Sequence, residues 1–153
     1  MLTFKNTIMN NSETLNDLIQ INNDRVAGYE KASLQTTDED LRTLFTSMAS
    51  QSKQFVSELR QFVRAEGEQP AEGTTASGKI YRTWMDVKAT FSGSNRKSVL
   101  ASCEFGEDAA QKAYKEALND DVSADIKSVI EKQKVELRQA HDKIRNLRDA
   151  QPA

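Results

Sequence analysis

Residues that break helices are concentrated in one stretch of this chain, and that stretch divides it into two similar halves. GEQPAEGTTASG at 67–78 holds both glycine and proline and shows no periodicity, which marks a loop. The rest is poor in both residues, with 6 glycines and 2 prolines in 153 positions, so long helices can run unbroken. Apolar residues recur at spacings of three and four in four segments, as on one face of a helix. The first stripe is Leu15, Leu18, Ile19, Asn22, Val26, Tyr29 and Ser33, after a cap expected at Ser12. The second is Leu41, Leu44, Phe45, Met48, Ser52, Phe55, Leu59, Phe62 and Val63, behind a Thr37–Asp40 capping box. Val99, Leu100, Cys103, Glu107, Ala110, Tyr114, Ala117 and Leu118 form the third, with Ser94 as the expected cap. Ile126, Val129, Ile130, Gln133, Leu137, Ala140, Ile144 and Leu147 form the fourth, capped by Ser123.

These spacings predict helices over about 12–34, 38–66, 95–118 and 123–149 in a single domain spanning 1–153. Short turns join the first pair and the second pair, which places the members of each pair antiparallel. A crossover at 67–94 joins the pairs. Ile80, Trp84, Val87 and Phe91 lie on one face there and predict a short helix over about 79–91. Gly28 allows a neighbour to approach the first helix closely. The expected fold is all-α: an antiparallel four-helix bundle with one long crossover between helices two and three, the ferritin-like arrangement.

Composition narrows the function classes. A domain of this size needs neither disulfide nor metal to be stable. Cys103 is the only cysteine, which fits a reducing compartment. The opening residues lack the apolar run of a signal peptide, and no segment approaches the roughly 18 apolar residues of a membrane span. We therefore expect a cytoplasmic protein with no membrane partner. The net charge of −2 lacks the basic excess of a nucleic-acid binder.

Each stripe carries polar residues near its middle: Asn22, Ser52 with Gln51 at its edge, Glu107, and Gln133 with Glu136 at its edge. Counting from the turns puts Asn22 level with Gln51, and Glu107 level with Gln133. A di-iron bundle keeps its metals in such a layer, using one Glu from each of two helices and a Glu-x-x-His motif from each of the others. Here the corresponding positions read Gln51-Ser52-Lys53-Gln54 and Gln133-Lys134-Val135-Glu136, and the only histidine is His141. Amides are neutral and weak ligands. The layer is therefore expected to be a hydrogen-bonded network that sets register, with Arg25 placed one turn from Asn22 to pair with Glu107.

Four segments carry a resemblance: LNDLIQINNDRVAGYEKA at 15–32, SGKIYRTWMDVKA at 77–89, CEFGEDAAQKAYKEAL at 103–118 and QAHDKIRNLRDA at 139–150. Together they resemble a bacterial ferritin-like family, a four-helix-bundle domain of unknown function loosely linked to stress response. The resemblance implies the fold. It also implies that ligands, were they present, would match Glu30, the Gln51/Gln54 pair, Glu104 or Glu107, and the Gln133/Glu136 pair. Two of those sets depart from the metal pattern.

The expected function is therefore that of a non-enzymatic bundle without cofactor, stress-associated or an interaction module, pairing as a homodimer through helix faces. The alternative is a protein binding iron or another divalent metal at a degenerate site of Glu30, Glu104, Glu107 and Glu136. Cys103 reads as a small buried apolar residue. His141 reads as a helix-pairing residue, and Tyr81, Trp84 and Phe91 as a cover on the core.

Overall fold

Four long helices follow from the four stripes. The computed structural model describes residues 2–74, 84 and 95–152, with side chains from residue 11 onward. It gives α1 Leu2–Gln35, α2 Glu39–Ala65, α3 Arg96–Ala117 and α4 Ala124–Asp149, and no strand among the described residues. The described chain is thus an all-helical bundle. No described helix is long and apolar enough to cross a membrane. Of the crossover helix expected over 79–91, only Trp84 is described, and it is helical. Tyr81, Phe91 and the Ser94 cap lie outside the described residues.

The starts of the helices differ from expectation. The first helix begins at Leu2, not at Ser12, because nothing in LTFKNTIMNN breaks a helix. Ser12 is instead an interior residue, buried, with no partner for its hydroxyl among the described residues. The Thr37–Asp40 capping box does not form. Asp38 is the cap residue of α2 and makes no cap bond with its side chain. Arg96 takes both acids, donating to Asp38 at 3.0 Å and to Asp40 at 2.6 Å. A charge-assisted fork to two carboxylates outweighs a local cap bond. The hydrogen bonds from Arg96 hold the Asp40 carboxyl below the ordinary carboxylate range, and they tie the start of α3 to the start of α2. Asn95 caps α3 through its own side chain, accepting from the Ser98 amide at 2.8 Å.

Side-chain bonds also fix the far end. Asn11 donates to Glu66 at 2.9 Å and accepts from the Ser123 amide at 3.1 Å. Thr14 donates to Asp120 at 2.6 Å. Past α2 the chain turns at Gly67, whose φ of +76° suits glycine. It then runs along α1, where Asn16 accepts from the Ala71 amide and Asn23 donates to the Gly73 carbonyl.

The apolar interior falls into two clusters. One gathers Leu15, Leu18, Ile19, Phe55, Leu59, Ile126 and Ile130 with their neighbours. The other gathers Tyr29, Phe45, Met48, Trp84, Leu100, Cys103 and Ile144. Trp84 is the wedge of the second cluster. It packs edge-on against Tyr29 at 5.2 Å and lies across Gly28 of α1 and Gly106 of α3. A Cβ at Gly28 would stand 2.5 Å from the indole, and one at Gly106 would stand 2.7 Å away.

Gly28→Ala should therefore destabilise the protein by about 1–3 kcal/mol through overpacking, against the roughly 1 kcal/mol that alanine gains over glycine in a helix. In a Trp84→Ala background the same change should be neutral or stabilising. Urea unfolding of the four proteins reads this directly, and a Gly28→Ala chain more stable than the parent contradicts it.

Candidate functional site

Between the two apolar clusters lies a layer of buried polar side chains from all four helices. Arg25, Asn22, Ser52, Glu107 and Gln133 are each at most 1% exposed. The α1 stripe runs through Arg25, and Val26, expected on it, is only half-buried. Arg25 meets Glu107 with two parallel bonds, Nε to Oε2 at 2.7 Å and Nη2 to Oε1 at 3.1 Å. The Tyr29 hydroxyl also donates to Oε2, at 3.0 Å. The expected pairing of Arg25 with Glu107 is thus present, and it engages both carboxylate oxygens.

From Arg25 the bonds continue in one direction. Nη1 donates to Ser52 Oγ at 2.8 Å and to the Met48 carbonyl at 3.2 Å. Ser52 donates to Asn22 Oδ1 at 2.9 Å, and Asn22 donates to the Tyr114 hydroxyl at 2.7 Å. Tyr114 donates to Gln133 Oε1 at 2.7 Å, and Gln133 donates to Glu58 at 3.2 Å, near the surface. Every step has a donor facing an acceptor, as a buried polar network requires. Gln51, expected in this layer, stands at its edge; its Oε1 is buried without a partner among the described residues.

The electrostatics follow from burial. Removal from water works against the Arg25 charge, but Glu107 more than offsets it, so the guanidinium holds its proton more tightly than a free one. Burial, reinforced by the Glu107 charge, pushes the Tyr29 phenol well above its usual range. Burial raises the Tyr114 phenol too, and it raises the Cys103 thiol, which keeps that sulfur protonated and unreactive.

The alternative metal set is not assembled. Glu30 is exposed and pairs with Lys53 at 2.8 Å. Glu104 contacts Arg148, and Glu107 is held by Arg25. Glu136 is half-buried on α4. Among the described residues, the one group of three acid or histidine ligands that converges is Glu104, Asp108 and His141. The reason is rotational: Glu104 turns toward α4 and Glu107 toward the centre, while Glu30 turns to solvent. The sequence reading missed Asp108, which is exposed and lies off the stripe. It also counted Tyr29 and Tyr114 as apolar stripe members and did not use their hydroxyls. A tyrosine two turns from a buried acid or amide on the same stripe was the available signal.

Folding keeps both phenols protonated where an unfolded tyrosine ionises, near pH 10. Stability should therefore hold below about pH 10 and fall as pH rises further, since the unfolded chain then binds fewer protons. In a Tyr81→Phe chain, which retains only Tyr29 and Tyr114, tyrosinate absorbance should appear together with loss of helical circular dichroism. Ionisation of either phenol at its ordinary pH in the still-folded chain contradicts this account.

No curated protein matches this sequence. A family model described as "Domain of unknown function (DUF2383)" matches residues 10–120. That segment spans most of α1, with α2, the crossover and α3, and so includes the layer apart from Gln133. On the strength of that match, over most of its length, the chain belongs to the DUF2383 family of domains of unknown function.

Proposed function

We propose that this is an antiparallel, ferritin-like four-helix bundle whose centre is closed by the protein's own cation. On this reading the crossover carries a short helix over about 79–91. The protein is cytoplasmic and non-enzymatic, without cofactor at its centre, and acts as a stress-associated interaction module in a bacterium. The observation that carries the reading is the buried ion pair between Arg25 and Glu107, 2.7 Å long, in the bundle interior, which is where di-iron bundles build their metal sites.

The chemistry is one of competition. A di-iron centre needs several free carboxylates and imidazoles around two cations. Glu107 is already bound on both oxygens, and the chain of bonds that runs on from Arg25 toward Gln133 is made of hydroxyls and amides. A metal ion placed about 4 Å from Arg25 would meet a repulsion of about 4 kcal/mol per unit charge at an effective dielectric constant near 20. Self-association as a homodimer is supported by Phe105 on α3 and Val135 on α4, large apolar side chains left 69% and 58% exposed.

Protein purified without added metal, then titrated with ferrous iron, tests this reading. It should bind no pair of irons that depends on Glu107, and it should keep its fold in chelator. Binding of two irons per chain, abolished by Glu107→Ala, would overturn it.

A further inference from the structure

Away from the centre, α3 and α4 gather a second set of ionisable groups. Glu104 and Asp108 are four residues apart on α3 and so share a face. His141 of α4 reaches across to both. Its Nε2 lies 2.6 Å from Asp108 Oδ1 and 3.7 Å from Glu104 Oε2. One donor atom from each of the three residues falls within 4.8 Å of the others. Ligands at about 2.0–2.1 Å around a tetrahedral zinc ion stand about 3.3 Å apart, so the observed spacings need only small adjustments.

The imidazole is also held as metal-binding histidines are held. It is nine-tenths buried, and its Nδ1 lies 3.0 Å from Asp142 Oδ1. The same oxygen accepts from Arg138 Nε at 3.2 Å, so the Asp142 carboxyl presents an acceptor to the ring. A carboxylate receiving the Nδ1 hydrogen leaves Nε2 as the ligand nitrogen and fixes the plane of the ring. Asp142 lies outside the converging three, so this orientation is a separate observation from their proximity. Arg148 occupies the other oxygen of Glu104 and leaves Oε2 toward His141.

We propose that Glu104, Asp108 and His141 form a site for one transition-metal ion of the zinc class, with water completing the shell. One imidazole and two carboxylates suit zinc and its neighbours better than soft monovalent copper, and imidazole disfavours magnesium and calcium. The ion bridges α3 and α4 and stabilises their pairing by binding only the folded chain. The ion takes the position between His141 Nε2 and Asp108 Oδ1 that their 2.6 Å contact now closes. The site is separate from the bundle centre, where Glu107 belongs to Arg25.

Untagged protein titrated with zinc chloride by calorimetry, and with cobalt chloride by visible absorption, tests the site. The expected result is one ion per chain, tighter than about 100 μM, with a higher Tm in zinc. Asp108→Asn and His141→Gln should each weaken binding at least tenfold, while the change Glu30→Gln, at an exposed side chain on α1, leaves it unchanged. Asp108 has an exposed side chain, so its variant remains folded and keeps the test decisive. Absence of one-to-one binding, or binding indifferent to Asp108→Asn, overturns the site. Binding lost in Glu30→Gln but kept in Asp108→Asn also overturns it.

Discussion

A guanidinium and a carboxylate, both out of reach of water, occupy the middle of this bundle, and much of the structure is arranged to tolerate them. Desolvating two charges costs several kcal/mol per ion, and their attraction offsets this only when geometry is good and the remaining donors are satisfied. Both conditions are met. The Arg25 fork is bidentate on Glu107, Tyr29 adds a third bond, and Ser52 with the Met48 carbonyl takes the far side of the guanidinium. The Arg25 guanidinium also lies 5.2 Å from the centre of the Tyr29 ring. Such a pair adds little net stability over apolar packing, but breaking it is expensive. Its effect is to admit one helix register.

That register determines the rest. The two apolar clusters meet at the polar layer, and each helix contributes to both. A shift of one turn in any helix would push a charge or an amide into hydrocarbon. The ends reinforce the same alignment, through Arg96 between Asp38 and Asp40 at one end and Asn11 between Glu66 and Ser123 at the other. Trp84 adds a steric lock, since only glycine at 28 and 106 leaves room for its ring.

The helices were legible because amphipathic periodicity is a repeated signal. Asn22, Ser52, Glu107 and Gln133 were legible as interior residues because they interrupt those stripes. What was not legible follows from physics that a single stripe does not encode. Arg25 displaced Val26 from the interior because a buried guanidinium is stable only with its partners in place, and those partners lie on two other helices. Ser12 looked like a cap because its side chain suits one, yet a helix starts where something stops it from extending, and nothing did. The acids at 38 and 40 went to Arg96, a partner 56 or more residues away along the chain. The convergence of Asp108 with Glu104 and His141 depends on how α3 and α4 are rotated, which polar residues on outward faces do not report.

The central claim is that Arg25 and Glu107 form one unit closing the bundle centre. A double-mutant cycle with Arg25→Met, Glu107→Leu and the combined variant, followed by urea unfolding, measures it most directly. Each single change should destabilise the protein by about 3–5 kcal/mol, since it strands a buried charge. The double variant should recover most of that loss. Losses that simply add, or single variants within about 0.5 kcal/mol of the parent, would contradict a coupled, buried pair.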